Sequence, residues 1–267
     1  MKKELHRHTV SRRFSSAAAT YHALASVQKA VGHNLVRLLS TAGNPERILE
    51  AGCGTGILTM ALLHRFPNAH LDAIDLSPAM LAEARRIFPR EERITWIAAD
   101  AVHYRGAVPY DLIVSNCALH WIDPLLEGLY NLVAQLRPGG RLIFSIMLHG
   151  TLDELHSARL RVAPHKPPQG RLPRINEVAD SLELCGARIL ESTEEIQTGA
   201  YPSATEMLRI LHDLGLTGGA ISQAAVPLNR SEIARLIADY DTHYAGENGG
   251  VTASYKVGYF IADKPAP

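Results

Sequence analysis

Two hydrophobic rhythms alternate along the chain. Over residues 17–39 apolar side chains recur every three or four positions, at Leu24, Val27, Val31, Leu35 and Leu38. That spacing predicts a helix with one buried face. Gly43-Asn44-Pro45 ends it. Residues 1–13 carry Lys2, Lys3, Glu4, Arg7, Arg12 and Arg13 without such a period and read as a ragged polar leader. Short apolar runs then follow at 47–51, 70–74, 94–97, 111–115 and 141–147, each predicting a strand. Helical patterns fill 57–66, 77–87 and 124–136 between them. Ser77-Pro78 supplies an N-cap with proline in the first turn, and Pro138-Gly139-Gly140 stops the third helix. Short apolar strands separated by helices imply a parallel sheet buried on both faces. After Leu148 the rhythm is less regular. Residues 165–173 read as an exposed loop, 175–184, 203–214 and 231–240 as helices, and 187–197 and 255–262 as strands. The expected architecture is α/β: a Rossmann-like, seven-stranded, mostly parallel sheet with helices on both faces, plus helical N-terminal and lid segments.

Between the first strand and the next helix stands Glu50-Ala51-Gly52-Cys53-Gly54-Thr55-Gly56. Glycines there allow a tight turn and close approach of backbone to a ligand. The helix start adds free N–H groups. This is the usual place for a nucleotide-type cofactor, at the carboxyl ends of parallel strands. A dinucleotide fingerprint requires its third glycine three places after the second, where this chain has Ile57. Glu50 would repel a pyrophosphate but can receive the ammonium of an amino-acid moiety. The pattern therefore predicts S-adenosylmethionine and excludes an NAD-dependent oxidoreductase. Asp75, followed by Leu76, ends the second strand, where a carboxylate can accept both ribose hydroxyls of an adenosine. Asp100 follows the third strand and can accept from the adenine amino group, with the Ala101 N–H beside it. Asn116 and Trp121 follow the fourth strand, where the methyl group is expected. His120 can serve as a base or pack against the cofactor. Cys117 lacks a preceding proline and is not a convincing nucleophile. Asn116 is not followed by Pro-Pro-Tyr, which disfavours methylation of nucleic-acid amines. Together these motifs resemble the class I methyltransferases over about residues 45–147.

The chain has 267 residues, and its 27 basic residues balance 27 acidic ones. This size suits one domain: a helical cap at 1–44, a cofactor-binding core at 45–150, and substrate or lid insertions with the last strands at 151–267. A neutral chain offers no general field for a polyanion, so nucleic acid is not an expected partner. Cys53, Cys117 and Cys185 are far apart, which predicts reduced thiols and neither a disulfide framework nor a metal site. No apolar run follows the charged N-terminus, and no stretch of about 18 apolar residues occurs, so neither a secretory signal nor a membrane span is expected. A cytoplasmic protein is anticipated.

The outer segments bear on the substrate. Phe14-Ser15-Ser16-Ala17-Ala18-Ala19-Thr20-Tyr21 resembles the N-terminal signature of the malonyl-[acyl-carrier protein] O-methyltransferases. The run from Gly150 to His156, Arg171-Leu172-Pro173, the lid helix from Ser203 to Gly215 and Ser254-Tyr255-Lys256-Val257 resemble that family in placement. Ser16 stands where the family usually has arginine, with Arg12 and Arg13 as replacements in reach, and the stretch from Gly218 to Pro227 matches only loosely. The resemblance implies methyl-ester formation on the free carboxylate of malonyl-acyl-carrier protein, or malonyl-coenzyme A, priming pimeloyl and biotin synthesis. Tyr21 is expected to close over the cofactor. For the carboxylate donor Arg171 comes first, because its planar fork suits a carboxylate, and His156 second. Arg159, Arg161, Lys166, Arg171 and Arg174 form a candidate basic patch for an acidic carrier protein. Other readings are a class I methyltransferase acting on another small organic acid or a quinone precursor, and a cofactor-binding partner subunit without activity.

Overall fold

The computed structural model describes residues 2–169, 171–216, 226–247 and 249–266. The loosely matching stretch after Gly218 therefore lies largely outside the described residues. The chain opens on α1 (Lys2–Leu24) and α2 (Ser26–Leu38), which continues into a 3-10 turn at Leu39–Ala42. Alternating elements follow: β1 (Arg47–Ala51), α3 (Thr59–Arg65), β2 (His70–Asp75), α4 (Pro78–Ile87), β3 (Ile94–Ala98) and β4 (Tyr110–Asn116). A 3-10 turn at Leu119–Trp121 leads to α5 (Leu125–Gln135) and β5 (Leu136–Met147). Then come α6 (Asp153–Val162), α7 (Ile175–Leu184), β6 (Arg188–Tyr201), α8 (Ala204–Asp213), α9 (Arg230–His243) and β7 (Val251–Asp263).

The seven strands form one sheet in the order β3-β2-β1-β4-β5-β7-β6. β1 to β5 run parallel, and β7 pairs antiparallel with both β5 and β6. The strand order reverses between β1 and β4, which opens a crevice at their carboxyl ends. Alternate strand residues feed two cores. Ile48, Leu71, Leu112 and Ile143 pack with Val31 and Leu35 of α2, Leu62 of α3 and Leu81 of α4. On the opposite face Leu49, Ile74, Ile113 and Phe144 meet Leu129 and Leu132 of α5 and Val178 and Leu182 of α7. Val31, Leu35 and Leu39 are wholly buried; each such side chain contributes about 1.5–3 kcal/mol. β6 is one of the two sheet edges and carries Glu191, Glu194 and Glu195, charges that oppose edge-to-edge pairing.

Local signals set several helix ends, the predicted Ser77 cap among them. The Ser77 hydroxyl accepts from Met80 N at 3.2 Å, and Asn229 and Glu232 form a reciprocal capping box. Three expectations need correction. The polar leader is helix: α1 starts at Lys2, and the expected single helix is two, broken at Ala25. Second, β5 begins at Leu136, so Pro138-Gly139-Gly140 lies inside a strand. Third, α6 was not anticipated; among its residues only Ala158 is fully buried, so it shows little apolar period.

Candidate active site

The crevice at the switch point is walled by the strand ends. Gly52 and Gly54 follow β1, Asp75 ends β2 with Leu76 after it, Asp100 and Ala101 follow β3, and Asn116 ends β4 with Trp121 beyond it. All eight line one cleft, as does Tyr21. Its remaining wall is the N-terminal helix: His6, Arg7, Val10 and Phe14 face the same space. Sequence reasoning does not place these four at the site: His6 and Arg7 look like solvent-exposed charge, Val10 stands alone among polar neighbours, and Phe14 enters only within the family signature. Ser11 and Ser15 hold it down through the carbonyl of Leu76 (3.1 Å) and the hydroxyl of Ser77 (2.9 Å).

The glycine turn works by backbone geometry. Gly52, Gly54 and Gly56 have φ of +73°, +55° and +85°, the left-handed region that costs other residues strain. A Cβ on Gly52 would lie 2.3 Å from that of Ala118, whereas one on Gly54 would meet nothing within 4 Å. Gly54 N–H donates to Asp75 Oδ2 at 2.9 Å, and Ser77 N–H to Asp75 Oδ1 at 2.8 Å. Burial raises the Asp75 carboxyl above its ordinary range, and these two amides oppose that rise. Each oxygen keeps a lone pair for a further donor. Asp100 Oδ1 accepts from Val102 N at 2.9 Å. Its Oδ2 is buried and, although Arg7 Nε stands 2.9 Å away, has no aligned hydrogen bond.

Two of the predicted cofactor residues stand behind the turn and do not line the cleft. Glu50 is 2 % exposed and accepts from the Thr59 hydroxyl at 2.6 Å, tying β1 to the start of α3. Burial pushes its carboxyl up to about 8. Gly56 makes room for Phe88, which a Cβ would meet at 2.6 Å. Asn116 braces the site: its amide donates to the Gln28 carbonyl at 3.0 Å and its Oδ1 accepts from Ser145 at 2.8 Å. Trp121 meets Phe14 edge to face at 5.2 Å, and its carbonyl lies 3.1 Å from His6 Nε2.

The expected substrate groups are elsewhere. Arg171 is exposed and paired with Glu177, in a neighbouring groove that shares His6, Ile122 and Asp123 with the cleft, and it does not line the cleft itself. His156 sits on α6 near Asp153 and lines neither the cleft nor the small cavity beside it. Ser16 is exposed, with its hydroxyl on the Arg12 carbonyl at 3.0 Å. The candidate basic patch is partly neutralised: Arg161 pairs with Asp239 at 2.6 Å and Lys166 with Glu232 at 2.7 Å. Burial drives the Cys117 thiol up to about 12 and the His120 ring down to about 3. At neutral pH the first is a thiol and the second an uncharged imidazole, so neither is an activated nucleophile nor a strong base.

The cleft fits an adenosyl sulfonium. Asp100 Oδ2 is ion-paired with Arg7 but makes no aligned hydrogen bond, Asp75 retains acceptor capacity, and Asp123 adds a third carboxylate to a wall that is acidic apart from Arg7. The fold and this cleft define a class I, S-adenosylmethionine-dependent methyltransferase. A family model described as a methyltransferase domain matches residues 49–142. The malonyl-[acyl-carrier protein] O-methyltransferase of Hahella chejuensis is 36 % identical over 253 residues, covering 94 % of this chain and 88 % of the relative. That of Priestia megaterium is 30 % identical over 259 residues, covering 92 % and 93 %. The chain belongs to the malonyl-[acyl-carrier protein] O-methyltransferase family. Among solved structures, the YcgJ protein of Bacillus subtilis matches with a TM-score of 0.62 at 13 % identity, over 88 % of this chain and 99 % of that one. A Burkholderia thailandensis 1,6-didemethyltoxoflavin N1-methyltransferase with bound S-adenosylhomocysteine matches at 0.51 and 17 %, over 92 % and 84 %. These two share the fold.

Proposed function

We propose that the protein methylates the free carboxylate of malonyl-acyl-carrier protein, giving the methyl ester that primes pimeloyl and biotin synthesis in the cytoplasm. The observation that carries this reading is similarity to relatives of that activity along nearly the whole chain. The chemistry of the site agrees with it. Bound S-adenosylmethionine supplies an electrophilic methyl on a sulfonium. A malonyl carboxylate is already ionised at pH 7 and needs no general base. Its oxygen forms the new C–O bond as the C–S bond breaks, the electron pair stays with sulfur, and no proton moves. A phenol or carbon acceptor would call for a base, and His120 is a poor one.

In this reading Asp75 accepts the ribose hydroxyls and Asp100 Oδ2 the adenine amine. Gly52 and Gly54 let the backbone approach the cofactor, with Leu76 and Ala101 packing beside it. Glu50 acts from behind, by fixing the turn. Tyr21, on α1, covers the reacting end. The chain's own residues chiefly bind, align and exclude water, which favours a reaction between opposite charges.

Incubation with methyl-labelled S-adenosylmethionine and malonyl-acyl-carrier protein tests this. The expected product is a base-labile labelled ester, absent when an acetyl group replaces malonyl. No labelled ester would overturn the substrate assignment. Malonyl-coenzyme A in a parallel reaction distinguishes the carrier.

A further inference from the structure

Beside the cleft lies a second, smaller cavity assembled from distant parts of the chain. Gln28 of α2, His120 after β4, Met147 at the end of β5 and Tyr255 of β7 line it. Tyr21, Cys117 and Trp121 line both spaces, so the two cavities meet at these three residues.

Of the polar side chains that line it, Tyr255 shares a hydroxyl hydrogen bond of 2.6 Å with Tyr201, and the Cys117 thiol lies 3.7 Å from the Ser145 hydroxyl and from Asn116 Oδ1. Two buried polar atoms stand out. Gln28 Oε1 and His120 Nδ1 are buried with no hydrogen-bond partner among the described residues. Gln28 is 4 % exposed and His120 7 %. Native proteins seldom leave such groups unpaired, because burial without a partner forfeits the bonds made to water. Gln28 Oε1 is the unpaired end, and the oxygen and nitrogen of an amide can exchange places, which turns the NH2 inward. Burial keeps the His120 ring neutral, with one nitrogen available as an N–H donor. No lysine or arginine lines the cavity among the described residues.

We propose that this chamber receives the acceptor's carboxylate, held by the Gln28 amide and the His120 imidazole as neutral donors, with one oxygen directed to the junction at Tyr21, Cys117 and Trp121. This rests on the carboxyl-methylation reading above. Neutral donors orient an anion while leaving its charge on the attacking oxygen, whereas an arginine fork would withdraw it. The compensating positive charge is the sulfonium, so the buried anion is paired only when the cofactor is in place. The chamber thus replaces Arg171 and His156 as the acceptor site.

The test is calorimetric titration of malonyl-acyl-carrier protein into protein saturated with sinefungin, an unreactive analogue whose ammonium supplies the positive charge of the sulfonium, alongside steady-state methyl transfer. Gln28→Met and His120→Phe conserve most of the volume and remove the donors. Each is expected to weaken malonyl-carrier binding on the order of 10-fold, with Gln28→Glu nearer 100-fold through like charge. Affinity for S-adenosylhomocysteine should stay within about 2-fold, and the Gln28→Met melting temperature should not fall, because an unpaired polar group has gone. Malonyl-carrier binding unchanged in both Gln28→Met and His120→Phe overturns the proposal, as does a parallel loss of S-adenosylhomocysteine binding. Wild-type protein that neither binds nor methylates the malonyl carrier overturns the underlying reading; wild-type activity with unaffected variants overturns the chamber assignment alone.

Discussion

The two cavities that meet at Tyr21 are built on opposite principles. The cofactor cleft is assembled mainly from four successive strand ends, and three carboxylates, Asp75, Asp100 and Asp123, face it against a single arginine, Arg7. The neighbouring chamber draws on residues from Tyr21 to Tyr255, and its polar groups are neutral and in part unpaired. A cation-binding site can be written locally, because a glycine turn and carboxylates at strand ends suffice. A site for an anion that must remain nucleophilic instead needs neutral donors in a dry enclosure, which only the folded topology brings together.

The largest effect that sharpens this contrast is expected at Asp75. Its carboxylate fixes the Gly54 and Ser77 amides and retains acceptor capacity for the cofactor. Asp75→Ala should weaken S-adenosylhomocysteine binding by about 3 kcal/mol, roughly 100-fold, by calorimetry. A loss below about 3-fold would break the claim that this carboxylate organises the cleft.

Next in size is a pH effect from behind the turn. Burial raises Glu50 to about 8, and Asp75 is raised in the same direction. The unfolded chain releases its carboxyl proton near pH 4.3, while folded Glu50 holds its own to higher pH. The stabilisation is therefore complete below about pH 4.3 and is lost as pH rises through 8. The melting temperature of the ligand-free protein should fall over that window, and Glu50→Gln should flatten the decline. A wild-type curve that rises there would contradict the burial assignment.

The smallest effect is expected at Arg171, the arginine the sequence offered for the substrate. It is exposed and already paired with Glu177. Arg171→Ala should change stability by less than about 0.5 kcal/mol and leave the malonyl-carrier KM within about 2-fold. A KM increase of tenfold would return the carboxylate to that loop.

The same contrast explains what was legible in the sequence. β1 to β4 and their glycine turn were readable because parallel strands are apolar throughout and left-handed turns demand glycine. Position did not reveal whether an acid faces the ligand: Glu50 lies in the motif yet turns toward Thr59. The α1 wall escaped because its inward residues, His6 and Arg7, look like solvent-exposed charge. Gln28 did carry a signal. It sits four residues after Leu24 and three before Val31, within the apolar face predicted for that helix, and a polar residue there is either partnered or functional. Met147 and Tyr255 join it only through the β5–β7 pairing, which no local pattern encodes.

The most direct measurement is a crystal structure with S-adenosylhomocysteine and a non-hydrolysable malonyl thioester bound together. The account predicts the thioether sulfur at the junction of Tyr21, Cys117 and Trp121, the adenine amine on Asp100, and the malonyl carboxylate between Gln28 and His120. A malonyl carboxylate paired with Arg171, or held by any arginine outside the chamber, would contradict it.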